Sequence, residues 1–167
     1  LDATEGNITT LFAANASSST DLEDATGLLE VRWDWQDDGA WDTPWSVAKL
    51  ATHRYPFPGA FTIRLEVRDT AGLTATATRQ VWVNNTAPTA RFTLGPGQGD
   101  VRTNFTADAS ASSDLEDPPG SLEARWDWDG DGVGDTPWSP AKAAAHRYDS
   151  TGRFSIHLEV RDTAGET

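Results

Sequence analysis

The feature that most constrains the fold of this chain is an internal repeat with a period of 93 residues. Shifted by that distance, the sequence aligns with itself without a gap, and 40 of the 62 residues from Leu11 to Gly72 are identical to their partners. LEVRDTAG, for example, occurs at 65–72 and again at 158–165. A period of this length is too long for a solenoid repeat and fits a complete small domain. The sequence therefore predicts two tandem copies of one fold.

The two copies differ at their ends. Leu1 aligns with Leu94, so APTARF at 87–92 has no counterpart in the first copy. Thr167 aligns with Thr74, so ATATRQVWV at 75–83 has none in the second copy. We predict a first domain at 1–84 that lacks its first strand, a linker at 85–88, and a second domain at 89–167 that lacks its last strand. We expect these residues to be part of a longer array.

Apolar and polar residues alternate with period two in the longest apolar segments. In LLEVRWDW (28–35), Leu29, Val31, Trp33 and Trp35 are expected to face inward, and the charged residues between them, Glu30, Arg32 and Asp34, outward. FTIRLEVR (61–68) shows the same pattern. Such alternation predicts half-buried antiparallel strands. Gly and Pro separate these segments, and none of them has a helical period. Several short strands in a unit of this size predict an all-β fold, with two tandem antiparallel immunoglobulin-like β-sandwiches.

Composition excludes several classes of protein. The formal net charge is −13, from 13 Lys and Arg against 26 Asp and Glu, which argues against nucleic acid and against an anionic membrane surface as partners. No apolar run approaches 18 residues, so we predict no direct membrane insertion. The chain has no cysteine, which removes disulfides and thiolate metal sites. A small domain outside the cell would then need another means of stabilisation.

Several motifs, in a fixed order, resemble the PKD domain, an immunoglobulin-like sandwich. They are AANASSSTDLED (13–24) and ADASASSDLED (107–117), WDWQDDG (33–39) and WDWDGDG (126–132), and then HRY, F-x-I-x-L-x-V and D-x-x-G. The family has a WDFGDG-like signature at the second of these motifs, and here Trp replaces its second aromatic residue. The resemblance covers nearly the whole chain. It implies an extracellular or cell-surface location, a spacer or adhesive role, and no catalytic activity.

Carboxylates are concentrated in two segments of each copy. Like charges this close repel one another, at a cost of about 1 kcal/mol per pair at 4 Å in water and more near a protein surface. Oxygen ligands without His or Cys favour a hard cation, so we expect calcium. The candidate ligands are Asp21, Glu23, Asp24, Asp34, Asp38 and Asp42 in the first copy, and Asp114, Glu116, Asp117, Asp127, Asp129, Asp131 and Asp135 in the second.

The acidic turn at 127–135 has the D-x-D-G-D-G spacing of a calcium loop, but it is not an EF-hand. Trp138 stands where a bidentate glutamate would be needed, and no flanking helices are predicted. Calcium-binding members of the resembling family use the preceding loop together with this turn, which implies that the two acidic segments lie close together. The alternative is that Asp and Gly are ordinary turn residues and that the carboxylates accept hydrogen bonds from turn amides or pair with arginines.

Aromatic and asparagine residues give further candidates. Trp33, Trp35, Trp126 and Trp128 alternate with polar residues and are predicted to be core. Trp41 and Trp45 lie in a turn, where exposed rings could stack on a sugar or on a neighbouring domain. Trp138 repeats Trp45, and local packing is the alternative for both. Four asparagines lie in N-x-S/T sequons, which predicts glycosylation; they are Asn7, Asn15, Asn84 and Asn104.

The sequence leaves two functional hypotheses open. The first is a non-enzymatic structural repeat of an extracellular filament, stalk or surface layer, stiffened by calcium, with neighbouring repeats or subunits of the same protein as partners. The second is an adhesive accessory module of a secreted hydrolase, with polysaccharide or protein as the partner. A hydrolase that uses paired carboxylates is a poor third, because no nucleophile and base stand together in the sequence.

Overall fold

The computed structural model describes all residues from 1 to 167, which form two compact units, Leu1–Asn85 and Thr86–Thr167. Apart from one short turn of 3-10 helix, Thr26–Leu28, the regular structure is all β. The strands of the first unit are β1 (Glu5–Gly6), β2 (Phe12–Asn15), β3 (Glu30–Asp34), β4 (Leu50–His53), β5 (Gly59–Arg68) and β6 (Thr74–Val83). Those of the second unit are β7 (Thr93–Gly95), β8 (Phe105–Asp108), β9 (Glu123–Asp127), β10 (Ala143–His146) and β11 (His157–Arg161).

The first unit has a sheet of four strands and a sheet of two. The larger sheet has the order β1-β6-β5-β3, in which only the β1–β6 pair is parallel. The smaller sheet pairs β2 with β4 in antiparallel fashion. Strand β5 is ten residues long and pairs with β6 along its whole length, from Gly59 opposite Val83 to Arg68 opposite Thr74. This continuous pairing makes β5 and β6 the longest elements of the chain.

Residues of both sheets form the core of the first unit. Phe12 and Ala14 of the smaller sheet pack with Val31, Trp33 and residues of β5 and β6 in the larger one. Tyr55 is 1% exposed, and its hydroxyl donates a 2.7 Å hydrogen bond to the carbonyl oxygen of Trp35. The alternating apolar positions thus meet between two β-layers, as in a sandwich.

The second unit repeats this plan with a different set of strands. Its sheets are β10-β8-β7 and β11-β9, all antiparallel. Phe92, directly before β7, packs edge-on against the core residue Trp126 at 5.3 Å. No strand pairs with β11 on the side opposite β9. Strand β11 has five residues, whereas the corresponding β5 has ten.

The predicted all-β fold of tandem immunoglobulin-like sandwiches is confirmed. The four predicted core tryptophans, Trp33, Trp35, Trp126 and Trp128, are all buried. One detail of the alternation is wrong, because Asp34 was expected to face outward with Glu30 and Arg32 and is instead 0% exposed. Its carboxylate turns inward because it caps the chain reversal that follows β3, as described below.

Candidate functional site

The acidic turn after β3 and β9 is organised around one buried aspartate in each unit. Asp34 accepts hydrogen bonds from the amides of three residues of the turn, Gly39 at 3.0 Å, and Gln36 and Asp38 at 3.3 Å. Asp127 does the same in the second unit, with Gly130 at 2.7 Å, Gly132 at 3.0 Å and Asp129 at 3.3 Å. Both aspartates therefore satisfy amides of a turn that has no sheet partners.

Asp127 is only 6% exposed. Burial opposes the charged form, but the hydrogen bonds from the amides of Gly130, Gly132 and their neighbours prevail and lower its pKa below the ordinary value. Gly130 and Gly132 have positive φ angles of 75° and 86°, which bring their amides around the carboxylate. The sequence pattern D-G-D-G thus has a structural explanation that needs no metal.

The remaining carboxylates of this turn also bind backbone amides. Asp42 and Asp135 each accept a 2.7 Å bond from the amide of the second tryptophan of the motif, Trp35 or Trp128. Asp38 and Asp131 accept from the amide two residues ahead. Carboxylate oxygens of Asp127, Asp129 and Asp135 nevertheless lie within 4.8 Å of one another, and the last two are exposed. Three acidic oxygens at this spacing can approach one cation.

The second acidic segment lies in the loop that joins β8 to β9, and in the corresponding loop of the first unit. Asp114 Oδ1 accepts 2.8 Å bonds from the amides of Glu116 and Asp117, and Asp21 makes the same turn in the first unit. Asp117 then bonds the amide and hydroxyl of Thr163, which follows β11. The loop is therefore fastened to the far end of the neighbouring strand.

The same fastening occurs in the first unit. Both oxygens of Asp24 bond Thr70, which follows β5. The hydrogen bond from the Thr70 amide is the largest of the effects that lower the pKa of Asp24 below its ordinary value. These bonds hold the acidic loop at one end of the sandwich in both units.

The expectation that the two acidic segments lie together is wrong. Asp127 lies opposite His157 at the start of β11, whereas Asp117 bonds Thr163, beyond the end of that strand. The five residues of β9 separate the two segments, which at 3.3 Å per residue is about 16 Å. The loop before a strand and the turn after it necessarily lie at opposite ends of that strand. The carboxylates therefore form two clusters in each unit.

Two carboxylate oxygens of the second unit are buried without a hydrogen-bond partner. They are Asp114 Oδ2 and Glu116 Oε1. The other oxygen of Glu116 accepts a 2.7 Å bond from the hydroxyl of Thr86 and a weaker one from its amide. In the first unit, the corresponding Glu23 is exposed. Thr86 could not be singled out from the sequence, because its position in a presumed linker carries no motif.

Another acidic residue, which none of the sequence predictions included, lies beside this loop. Asp162 is 4% exposed and directly precedes Thr163, the partner of Asp117. One of its oxygens accepts a 2.8 Å bond from the amide of Glu166. The repeated D-x-x-G motif could have pointed to Asp162 in the sequence. In the first unit, Asp69 of the same motif accepts a hydrogen bond from the amide of Leu73.

The two candidate binding tryptophans do not form an open aromatic platform. Trp41 and Trp45 are half-buried, and arginines stack on both rings. The guanidinium carbon of Arg32 lies 4.1 Å from the centre of Trp41 and 4.4 Å from that of Trp45. Arg68 lies 4.2 Å from Trp45, and Arg64 lies 5.2 Å from Trp41. We call these five residues the arginine–tryptophan ladder.

Carboxylates hold the arginines of this ladder in position. Arg32 pairs with Glu66 across β3 and β5 at 2.6 Å, Arg68 pairs with Glu30, and Arg64 lies 3.7 Å from Asp37. The second unit has a shorter version, in which Trp138 lies between 4.6 and 4.7 Å from Arg161 and Arg125. There Gly134 and His157 replace Trp41 and Arg64. The guanidinium groups occupy the surface on which a sugar would stack.

The histidines of the HRY motif are packed rather than free. His53 stacks on Trp35 at 5.1 Å and meets Tyr55 edge-on at 4.7 Å, and His146 has the same partners in the second unit. Burial lowers the pKa of His53, although the charge of Asp42 opposes this effect. The ring packing thus gives both histidines a structural role.

The four sequon asparagines differ in accessibility. Asn15, Asn84 and Asn104 are exposed, whereas Asn7 is half-buried. The side-chain oxygen of Asn7 accepts hydrogen bonds from the amide and hydroxyl of Thr9 within its own sequon. Asn15 similarly accepts from the amide of Ser17. Glycosylation remains a prediction, with three accessible positions.

Comparison with known families identifies the fold. Residues 2–83 match the family model of the PKD domain. The match covers the first unit, and the 93-residue repeat extends the same motifs over the second. The first unit thus belongs to the PKD domain family, whose members are immunoglobulin-like β-sandwich modules that occur in extracellular proteins and are generally not catalytic. No curated protein matches the chain at a significant level.

One further finding concerns membranes. The chain forms no helix with the length and apolar character that crossing a bilayer requires.

Proposed function

We propose that the chain is a non-enzymatic structural segment of an extracellular filament, stalk or surface layer, in which PKD sandwiches follow one another as spacers. The observation that carries this proposal is that the side chains best suited to bind a ligand, the carboxylates and the tryptophans, make contacts within the fold instead. The carboxylates of the acidic turn bind backbone amides, and the tryptophans of the same region are covered by arginines. A duplicated domain whose polar and aromatic side chains are used in this way is suited to a stiff spacer and not to catalysis.

We also propose that calcium stabilises the second unit at the loop that contains Asp114 and Glu116. A carboxylate oxygen that is buried without a hydrogen-bond partner is costly. Calcium prefers carboxylate oxygens as ligands and would supply the missing partner in this loop. This chemistry is supported best in the second unit, because Glu23 is exposed in the first. The three oxygens of Asp127, Asp129 and Asp135 are the second candidate.

Thermal unfolding in calcium and in EGTA tests the metal. A cation at 100 times its dissociation constant adds about 2.7 kcal/mol. For a domain of this size we expect the unfolding temperature of the second unit to rise by about 10 °C or more. Glu116→Gln should abolish most of that rise, and Glu23→Gln is the matched control that should preserve it. If only Asp129→Asn abolished the calcium-dependent rise in unfolding temperature, the calcium site would be in the acidic turn and not in the loop of Glu116. The absence of any rise would contradict calcium binding.

The structural role has its own test. Immunogold electron microscopy of the native source, with antibodies against this chain, should place the label on regular surface assemblies or stalks. Label that follows a secreted hydrolase, together with retention of the chain on insoluble polysaccharide, would favour the adhesive alternative. In that case Trp45→Ala should abolish retention. The stacking of Arg32 and Arg68 on Trp45 counts against this outcome.

A further inference from the structure

Strand β6 of the first unit has one edge that is paired along its whole length and another that is mostly free. Strand β5 pairs with every residue of β6, whereas β1 pairs only with Trp82 and Val83 on the other side. No strand pairs with the residues from Thr74 to Gln80 on that side, and all of them are exposed. A free edge of this length offers its unpaired backbone groups to another chain.

The course of the chain leaves this edge free. The amide of Asp2 donates to the carbonyl oxygen of Ala13 in β2, so the chain lies on the smaller sheet before it crosses to β6 at Glu5. The second unit shows the same course for the residues that come earlier in the repeat, since β7 pairs with β8 and Thr89 pairs with Ser113. Residues that precede β1 therefore run along the smaller sheet, and the free edge of β6 does not depend on them.

The even-numbered residues of β6 direct their backbone amides and carbonyl oxygens to the free edge. The amides of Trp82 and Asn84 point away from β5, because they donate to the carbonyl oxygens of Thr4 and Gly6. In an antiparallel pair, every second residue of a strand points outward in this way. The residues of the free edge that share this orientation are Thr74, Thr76, Thr78 and Gln80.

The free edge lacks the usual protection of edge strands. Natural edges are short or carry Lys, Pro or a bulge, whereas residues 74–80 contain no Lys and no Pro and pair with β5 without a break. Arg79 is their one charged residue, and its guanidinium donates a 2.8 Å hydrogen bond to the carbonyl oxygen of Thr78. The chain has 26 Asp and Glu residues, but none between Asp69 and Asp100. Two copies of this acidic chain can therefore meet at β6 without opposing carboxylates on the paired strands.

The neighbouring elements restrict the register in which two β6 edges can pair. An antiparallel strand cannot extend past Gln80, because Thr4 already binds the amide of Trp82. Strand β6 itself begins at Thr74, directly after the turn from β5. The longest pairing thus places Thr74 opposite Gln80 of the second copy. Ala77 then lies opposite its own counterpart, on a two-fold axis.

We infer that the free edge of β6 is a self-association site, at which two copies of the chain pair antiparallel about Ala77. Thr76 and Thr78 of each copy exchange backbone hydrogen bonds with Thr78 and Thr76 of the other, and Arg79 lies opposite Ala75. The four-stranded sheets of the two copies become one continuous sheet. A single edge contact is small, so the dimer is weak by itself. This deepens the proposed function, on which it rests, because it lets spacer chains adhere side by side.

Disulfide trapping tests this register, since the chain has no cysteine of its own. In Ala77→Cys, the two cysteines meet in a pair whose Cα atoms are about 4.5 Å apart, which a disulfide can bridge. In Ala75→Cys, the matched control on the same face of the strand, they are displaced by four positions, or about 13 Å. Under mild oxidation, Ala77→Cys should give at least about ten times more covalent dimer than Ala75→Cys. Equal yields, or a larger yield from Ala75→Cys, overturn the inference.

Hydrogen exchange in the unmodified chain tests the association at equilibrium. The amides of Thr76 and Thr78 should exchange at least about three times more slowly at about 1 mM chain than at about 20 µM. The amide of Ala77 should not change, because it points towards β5. Thr78→Pro removes an outward N–H without breaking the pairing of β5 with β6, and it should abolish the concentration dependence. Thr78→Val keeps that N–H and is the control that should preserve it.

Two results of the exchange experiment would overturn the inference. One is exchange of Thr76 and Thr78 that does not depend on concentration, together with a monomer in sedimentation equilibrium at about 1 mM. The other is concentration-dependent protection that Thr78→Pro leaves intact, because the contact would then lie elsewhere. Neither trapping nor exchange depends on calcium or on surface location, so their failure leaves the tests of the proposed function intact.

Discussion

The two units share most of their residues, but one edge of the sandwich is covered in the first and open in the second. Phe61 and Ile63 belong to a ten-residue strand, whereas the corresponding Phe154 and Ile156 lie in a stretch without regular structure. The same kind of sequence therefore forms a strand in one place and not in the other. The comparison teaches that these positions need a hydrogen-bonded partner, since β-propensity mostly reflects packing against neighbours.

The units also differ in how their acidic loops are buried. Thr86 bonds Glu116 in the second unit, which helps to enclose two carboxylate oxygens, while Glu23 of the first unit is exposed. The shared S-x-DLED-like sequence thus has two buried carboxylate oxygens in the second unit and an exposed glutamate in the first.

The largest effect is expected when the covered edge is opened in the first unit. Val81→Asp places a charge at a position that is 0% exposed, and we expect a loss of at least about 3 kcal/mol, or more than about 10 °C in the unfolding temperature of that unit. Residues 60–63 should then exchange their amides as fast as residues 153–156. Calorimetry and hydrogen exchange measure the two effects.

The control for this experiment lies on the same strand. Gln80 is exposed and pairs with Thr62, so Gln80→Asp adds the same charge to the solvent face. It should change stability by no more than about 0.5 kcal/mol. Equal losses in the two variants would show that strand β6 is not what distinguishes the units.

A smaller effect on stability is expected when the corresponding tyrosines of the two units, Tyr55 and Tyr148, are replaced by phenylalanine. The Tyr55 hydroxyl bonds the Trp35 carbonyl in a closed core, whereas Tyr148 makes the same bond to Trp128 beside an open groove. Burial raises the pKa of Tyr55, and the charge of Asp42 raises it further. Tyr55→Phe leaves a buried carbonyl unpaired and should cost about 1–3 kcal/mol. Tyr148→Phe should cost less, because water can replace the lost donor.

Denaturant unfolding of the two variants measures this difference. Equal costs in the two variants would contradict the view that the two cores differ in hydration.

The sequence predicted the features of the fold and of the candidate site that depend on residues close together in the chain. It did not predict those that depend on contacts between distant residues. Alternation predicted the strands and the buried tryptophans, because a strand exposes its two faces by a local rule. Asp34 escaped that rule because its carboxylate serves the following turn. The joining of two acidic segments into one site was wrong because their separation depends on where β9 begins and ends. The arginine–tryptophan ladder could not be predicted, since it requires the register of β3 against β5.

The smallest effects concern the ladder, which has one more tryptophan in the first unit. Trp41 stacks with Arg32 and Arg64, and Trp41→Ala should cost about 1 kcal/mol. The reverse change, Gly134→Trp, should gain little by itself. A side chain at Gly134 meets Arg125 Cδ at 3.0 Å, and His157 replaces the arginine that would stack from the other strand.

Adding that arginine tests whether the ladder is cooperative. The double variant Gly134→Trp with His157→Arg should be more stable than the sum of the single variants by about 0.5 kcal/mol, because the new ring then has a guanidinium from each strand. A thermodynamic cycle over the four chains measures this coupling. A coupling of zero would mean that the arginines and tryptophans of the first unit lie close together without stabilising one another, and the difference between the two ladders would then have no consequence for stability.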